Sequence, residues 1–142
     1  DTLFITHESL GLTVLALTVA RFLWRLAHPA PPPSPDLQRI ERLASGSVHA
    51  LLYLVLIVMP ITGYLFVTWR GIELSYFGLV DVPALVTPDK PLGKLAGATH
   101  ATLQWAIYAL ALAHIGAALH HHFLRRNDVL TRMLPGLRAR TR

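Results

Sequence analysis

The sequence predicts an all-α fold, an integral membrane helix bundle with three transmembrane helices in this chain. Apolar residues make up 53% of the 142 residues and charged residues only 15%, whereas about a quarter of the residues of a soluble domain are charged. The apolar residues are concentrated in three long segments, and the mean hydropathy is positive. These two observations disfavour a soluble globular domain and a disordered chain.

Each of the three segments is long enough to cross a bilayer. The first has an uncharged centre from Ser9 to Ala20, and uncharged runs of 27 and 30 residues follow Arg42 and Lys94. A helix rises about 1.5 Å per residue, so about 20 apolar residues span the hydrocarbon core. We therefore predict one membrane domain over residues 1–142, with transmembrane helices at about 3–26, 45–69 and 95–122.

The distribution of Lys and Arg predicts the orientation of these helices. Ten basic residues lie in and beside the connection 27–44, which is rich in proline, and in the tail 125–142, whereas the connection 70–94 has three. We expect the membrane side that carries the ten basic residues to be cytoplasmic. The C-terminus is then cytoplasmic, and 70–94 is a periplasmic loop. Beside a membrane helix, the basic tail favours anionic lipid over nucleic acid as its partner. The aromatic and apolar residues of 70–94 indicate a packed loop.

The third segment carries a stripe of histidines. His100, His114 and His121 are separated by 14 and 7 residues. At about 100° per residue, these steps return to within roughly 40° and 20° of one direction, so one helix face carries three imidazoles. His100 and His114 are about 21 Å apart along the axis. That separation excludes a shared metal ion and suits two sites, one near each membrane surface.

His7 and His100 are predicted to lie at similar depth on the outer side, because the first and third helices run parallel. Two neutral imidazoles from different helices can bind a heme iron from both faces. Small residues near this contact leave room for the macrocycle, although they also serve plain helix packing: Gly11, Gly97, Ala98 and Ala101. The alternative for any single histidine is a neutral ring that donates a hydrogen bond to a neighbouring helix.

The partner of His114 is less defined by the sequence. His49 lies at roughly the right depth on the second helix, and a segment before residue 1 is a second source. The chain begins with Asp, and its hydrophobic pattern starts almost at once, so we expect a preceding segment. His121 and His122 lie nearer the inner surface, where they either serve a proton-coupled substrate such as a quinone or extend into water.

Other chemistries have little support. The chain has no cysteine, which excludes disulfides, thiolate clusters and covalent c-type heme. We expect no carboxylate among the intramembrane histidines, so metal transport is a minor alternative and a serine–histidine–acid triad has no orienting acid. The sequence also has no glycine-rich phosphate loop and no nicotinamide fingerprint.

Four segments together resemble the bacterial cytochrome b561 family, which is related to the membrane cytochrome b subunits of nickel hydrogenases. They are THESLGLTVLALTVARFLWRLAHPAPP, VHALLYLVLIVMPITGYL, LGKLAGATHATLQW and HIGAALHHHFLRRNDVLTRMLPG. The resemblance covers nearly the whole chain. It implies a four-helix bundle in the bacterial inner membrane, with two b-type hemes that pass electrons between a periplasmic donor and the quinone pool.

The resemblance also assigns residues. His7 and His100 match the axial ligands of the outer heme, and His114 matches the fourth-helix ligand of the inner heme. The usual partner of that ligand lies on the family's first helix, which this sequence lacks. His121 matches a position near the proposed quinone site, and His49 matches a histidine that begins the family's third helix, close to the same place. The chain is thus expected to bind one or two molecules of heme b.

Two functions follow from the resemblance. The first is electron transfer from a periplasmic donor to ubiquinone or another quinone. Some members are superoxide:ubiquinone oxidoreductases, so superoxide is one candidate donor. The basic residues Arg70, Lys90 and Lys94 are balanced by nearby acids, so net charge gives no evident steering, and a local basic patch in three dimensions stays open as an alternative. The alternative function is a heme-carrying anchor subunit of a larger complex, without a quinone site of its own. A heme-free helix bundle is a third reading.

Overall fold

A computed structural model of the protein describes residues 2–29 and 37–125. Its elements are three helices and one hairpin: α1 (Thr2–Ala27), α2 (Arg39–Trp69), β1 (Leu74–Tyr76), β2 (Val80–Val82) and α3 (Lys90–Phe123). The proline-rich part of the connection 27–44 and the basic tail 125–142 lie largely outside the described residues. Each of the three helices is long and apolar enough to cross a membrane, which confirms the predicted fold class.

Large apolar side chains on all three helices are exposed, as expected for surfaces that face lipid. Leu17 of α1 is 65% exposed, Leu54 of α2 is 56% exposed and Leu112 of α3 is 72% exposed. A soluble protein would bury such residues in a core, whereas lipid tails are as apolar as leucine itself.

Two helices begin earlier than predicted, because caps lie outside the apolar segments. α2 begins at Arg39, where the backbone N–H of Gln38 donates to Oε2 of Glu41 at 2.8 Å. α3 begins at Lys90, where Leu92 N–H donates to Oδ1 of Asp89 at 3.0 Å. These side chains satisfy the unpaired groups of the first turn. Residues 90–94, which were assigned to the periplasmic loop, are therefore helical. Within the connection 27–44 the sequence favours a short helix over 36–43 that leads into the second segment, and in the structure residues 39–44 are the first turns of α2 itself.

The end of α2 is fixed by a glycine. Gly71 has a φ of +71°, and its N–H donates to the carbonyl of Thr68 at 3.0 Å. A left-handed residue that returns a hydrogen bond to the last turn is a common helix stop, and glycine adopts that conformation without a steric penalty. The N–H of Asp89 donates to the carbonyl of Trp69 at 2.8 Å. The start of α3 is thereby attached to the end of α2.

The connection between α2 and α3 contains an antiparallel hairpin that the sequence analysis did not predict. Leu74 pairs with Val82, and Tyr76 pairs with Val80. Phe77 and Gly78 form the tight turn, with φ angles of 52° and 69°. Two consecutive positive φ angles match the right-handed twist of a hairpin, but a bulky aromatic residue is rarely found in this region.

Ser9 of α1 holds that turn in place. The Ser9 side chain is fully buried, and its Oγ accepts the Phe77 N–H at 2.7 Å while donating to the carbonyl of Ile5 at 2.7 Å. The hydroxyl groups of Thr13 and Tyr76 lie 2.9 Å apart. The hairpin is therefore packed on α1.

We expect Ser9→Ala to destabilise the protein by about 1 kcal/mol, because it leaves the partly buried Phe77 N–H without its acceptor. The measurement is the thermal unfolding of the purified protein in detergent. Thr6→Val is the matched control, since the Thr6 hydroxyl donates only to the Thr2 carbonyl of its own helix at 2.7 Å. Equal unfolding temperatures for the two variants would contradict the assignment.

The described residues divide into two compact units. The first unit contains residues 2–29 and 53–107, and the second contains 37–52 and 108–125. Val55, Val67, Leu74 and Ala96 are buried in the first unit. In the second unit, Nη2 of Arg125 lies 2.9 Å from Oε1 of Glu41, so an ion pair joins the start of α2 to the end of α3.

Candidate functional site

The first unit brings together His7 of α1 and His100 of α3, which we call the first pair. Their ring centroids are 5.9 Å apart and their ring planes are 83° apart. Imidazole nitrogens bind metal ions at about 2.0 Å, so two rings on opposite sides of one ion have centroids about 6 Å apart. The spacing of the first pair fits one metal ion between the two rings.

A cavity of about 120 Å³ adjoins the first pair. Its walls are mainly apolar, and the side chains that form them include Phe4, Leu12, Phe66, Val67 and Leu74. Such apolar walls suit contact with an apolar ring system.

Three glycines near the first pair have different roles. A Cβ on Gly11 would meet nothing within 4 Å, so Gly11 leaves open space in the cavity, as the sequence analysis expected. A Cβ on Gly97 would lie 2.6 Å from the Phe66 ring, so Gly97 is needed for the packing of that ring. A Cβ on Gly63 would lie 3.0 Å from Cε1 of His100. The sequence analysis did not identify Gly63.

The orientation of His100 is fixed by a backbone carbonyl. Its Nδ1 lies 2.8 Å from the carbonyl oxygen of Met59 in α2. A carbonyl only accepts hydrogen bonds, so Nδ1 carries the ring proton and Nε2 carries the lone pair. Histidines that bind a metal commonly donate their other N–H in this way. The hydrogen bond thus leaves Nε2 as the potential metal ligand.

Glu8 corrects one expectation from the sequence. It follows His7 within α1 and lines the same cavity, and its Oε1 is buried without a hydrogen-bond partner in the described protein. The expectation that no carboxylate accompanies the intramembrane histidines was therefore wrong. The error arose because Glu8 was treated as a flank of the uncharged centre, although α1 already begins at Thr2.

Three basic side chains gather near His100. Arg70, Lys90 and Lys94 line an open cavity that also includes His100, whereas no acidic residue lines it. The Arg70 guanidinium lies 5.2 Å from the centroid of the Phe66 ring, which holds it by a cation–π contact. Counting charges along the sequence suggested cancellation. In the structure no acid joins the three basic groups in this lining, so the cavity has a local excess of positive charge.

The second unit brings together His49 of α2 and His114 of α3, which we call the second pair. Their ring centroids are 5.2 Å apart, with 65° between the ring planes. Both residues are half-buried. They line a cavity of about 380 Å³ together with Glu41, Ser45 and His121. The sequence leaves two sources for the partner of His114, and His49 lies beside it in the structure.

The other histidines of α3 lie in different surroundings. His121 lines the cavity of the second pair, and so does His120, whose ring centroid is 5.6 Å from that of His121. The sequence analysis assigned no role to His120. His122 does not line this cavity, and its ring centroid lies 4.9 Å from that of Phe123.

Both pairs consist of imidazoles on two different helices. Among residues 2–29 and 37–125, no group of three or more His, Cys, Asp or Glu side chains could hold a metal ion. Two histidines on opposite sides of one iron are enough when the equatorial ligands come from a heme. The donor set, the ring spacing and the apolar walls of the first pair therefore fit a b-type heme.

Comparison with known proteins agrees with this chemistry. The sequence model described as prokaryotic cytochrome b561 matches residues 2–136. The chain is 40% identical over 128 residues to cytochrome b561 homolog 2 of Escherichia coli strain K12, covering 90% of this chain and 68% of that protein. It is 32% identical over 137 residues to the probable superoxide oxidase CybB of Yersinia pestis, covering 94% of this chain and 75% of that protein.

Proposed function

The chain belongs to the prokaryotic cytochrome b561 family of membrane cytochromes, and we propose that it passes electrons singly from a periplasmic donor to the quinone pool of a bacterial inner membrane. The observation that carries this proposal is the presence of two imidazole pairs. Each pair joins two long apolar helices, with centroid separations of 5.9 and 5.2 Å. Paired neutral imidazoles in an apolar site are suited to b-type heme.

In this proposal, His7 and His100 hold one heme b, and His49 and His114 hold a second. A bound heme supplies one-electron chemistry that needs no group transfer. The protein would supply the imidazole nitrogens that bind the iron, their orientation and the apolar walls of the site. The Met59 carbonyl orients His100, and apolar side chains such as Phe4 and Leu12 enclose the first site.

We propose an anionic donor for the first pair, and superoxide is the candidate that the family suggests. Arg70, Lys90 and Lys94 line one cavity with His100, so an anion attracted there arrives next to an axial ligand. Clustered positive charge raises the local concentration and association rate of small anions. The name of the Yersinia pestis relative, probable superoxide oxidase, is in line with this donor.

We propose that the quinone binds in the cavity of the second pair. Reduction of a quinone to a quinol consumes two electrons and two protons, so the site needs groups that carry protons. His121 lines this cavity together with Glu41, and His122 follows on the same helix. The excess of basic residues near this end predicts that it is cytoplasmic, where protons come from the cytoplasm and the tail meets anionic lipid.

The experiment that tests this function measures quinol formation by the purified protein in detergent, with superoxide as the donor. We expect the isolated protein to reduce ubiquinone. A heme-carrying anchor subunit would bind heme but reduce no quinone without its partner complex. Heme binding without quinone reduction would therefore overturn the proposal in favour of the anchor, and a colourless protein would overturn both.

The donor site has its own expected result. The double variant Lys90→Gln/Lys94→Gln should lower the superoxide-driven rate by about tenfold at low ionic strength, because two of the three clustered charges are lost. The difference should shrink at high salt, which screens the attraction. Glu73→Gln is the control, since Glu73 is exposed on the same connection but does not line this cavity. Equal rates in the double variant and the control would exclude electrostatic attraction at this site.

A further inference from the structure

We infer that Gly63 and Thr62 are positioning residues that set the reduction potential of the heme held by His7 and His100. Gly63 lets the His100 ring reach the Met59 carbonyl, and Thr62 competes with His100 for that same carbonyl. The inference rests on the proposed function, because it concerns electron donation from His100 to a bound iron.

Two groups donate to one oxygen atom in α2. The Met59 carbonyl lies 2.8 Å from Nδ1 of His100 and accepts the Thr62 hydroxyl at 2.8 Å. A carbonyl oxygen has two lone pairs and can accept both bonds. Each bond polarises the carbonyl, so the hydroxyl of Thr62 reduces the electron density that is left for the ring of His100.

Gly63 leaves the space in which the His100 ring makes this hydrogen bond. A Cβ at position 63 would lie 3.0 Å from Cε1 and 3.1 Å from Nδ1 of His100. At these distances the neighbour must move by a few tenths of an ångström, and the nearest atoms are those of the ring itself. Alanine at this position would therefore push the imidazole away from its position against the Met59 carbonyl and weaken the hydrogen bond.

The hydrogen bond acts on the iron through the imidazole. When Nδ1–H donates to a carbonyl, the ring gains electron density and Nε2 becomes a more basic ligand. A more basic ligand stabilises ferric over ferrous iron and lowers the reduction potential. The two residues should thus have opposite effects. Removing the hydroxyl of Thr62 strengthens the hydrogen bond of His100, whereas adding a Cβ at Gly63 weakens it.

The test is a redox titration of the purified protein, followed by its heme absorption, in the wild type and three variants. We expect the potential of the first heme to shift to more positive values in Gly63→Ala and to more negative values in Thr62→Val. Thr102→Val is the control, because the Thr102 hydroxyl donates to the Ala98 carbonyl of its own helix at 2.8 Å and Thr102 lines neither cavity beside His100. The heme of the second pair is an internal reference whose potential should not move.

Opposite shifts of the reduction potential in the two variants distinguish positioning from loosened packing. Loosened packing would shift both potentials in the same direction. Unchanged potentials, or shifts of the same sign, in a protein with its full heme content would overturn this inference and leave the proposed function intact. If Gly63→Ala loses the first heme, Thr62→Val decides alone, and a negative shift supports the inference while no shift overturns it. A wild-type protein without heme would overturn the proposed function and this inference together.

Discussion

His100→Ala is expected to remove one heme from the protein while leaving the protein in the membrane. The substitution deletes one of the two axial nitrogens of the first pair and also the ring that Met59 orients. His7 is exposed on α1 and would remain as a single ligand. The apolar surface of α3 is unchanged, so insertion should persist.

The measurement is a reduced-minus-oxidised absorption spectrum, with heme counted per polypeptide in the purified protein. His7→Ala should give the same loss as His100→Ala. His28→Ala is the matched control, since the His28 ring stacks on Trp24 with centroids 3.9 Å apart and takes no part in either pair. If the full heme complement survives His100→Ala, the assignment of the first pair fails.

Properties that depend on local composition could be predicted from the sequence. The three helices follow from the length of their apolar segments. α2 and α3 begin earlier than predicted because their starts are capped by single side chains, those of Glu41 and Asp89. The sequence also predicted that His7 and His100 lie at similar depth in the membrane, because the first and third helices run in the same direction. The same estimate placed His49 near His114.

Properties that depend on which faces meet could not be predicted. The contact between Gly63 and His100 requires knowledge of the α2 face that meets α3, and the partner atom is a backbone carbonyl, which leaves no sequence signal. The sequence alone could not show that Arg70 and Lys94 line one cavity, because a loop that contains acids separates them along the chain. The hairpin turn places Phe77 at a φ of 52°, contrary to its local preference, and depends on Ser9 of a distant helix.

Each histidine of the second pair should be required for the binding of one heme. We expect His49→Ala and His114→Ala each to remove one heme and to leave the heme of the first pair in place. The two rings lie 5.2 Å apart on two helices, so either substitution should leave a single axial ligand. Ser45→Ala is the control for His49→Ala, because Ser45 lines the same cavity one helical turn earlier on α2. It should retain all heme.

The two single variants need not agree, and their difference is informative. If His114→Ala loses a heme and His49→Ala keeps it, the partner of His114 is another residue and the pairing of His49 with His114 fails. If both lose it, the double variant His49→Ala/His100→Ala should be colourless while still inserted in the membrane. That result would separate ligation from folding, because α2 and α3 would each lack one imidazole and retain the apolar surface that holds them in lipid.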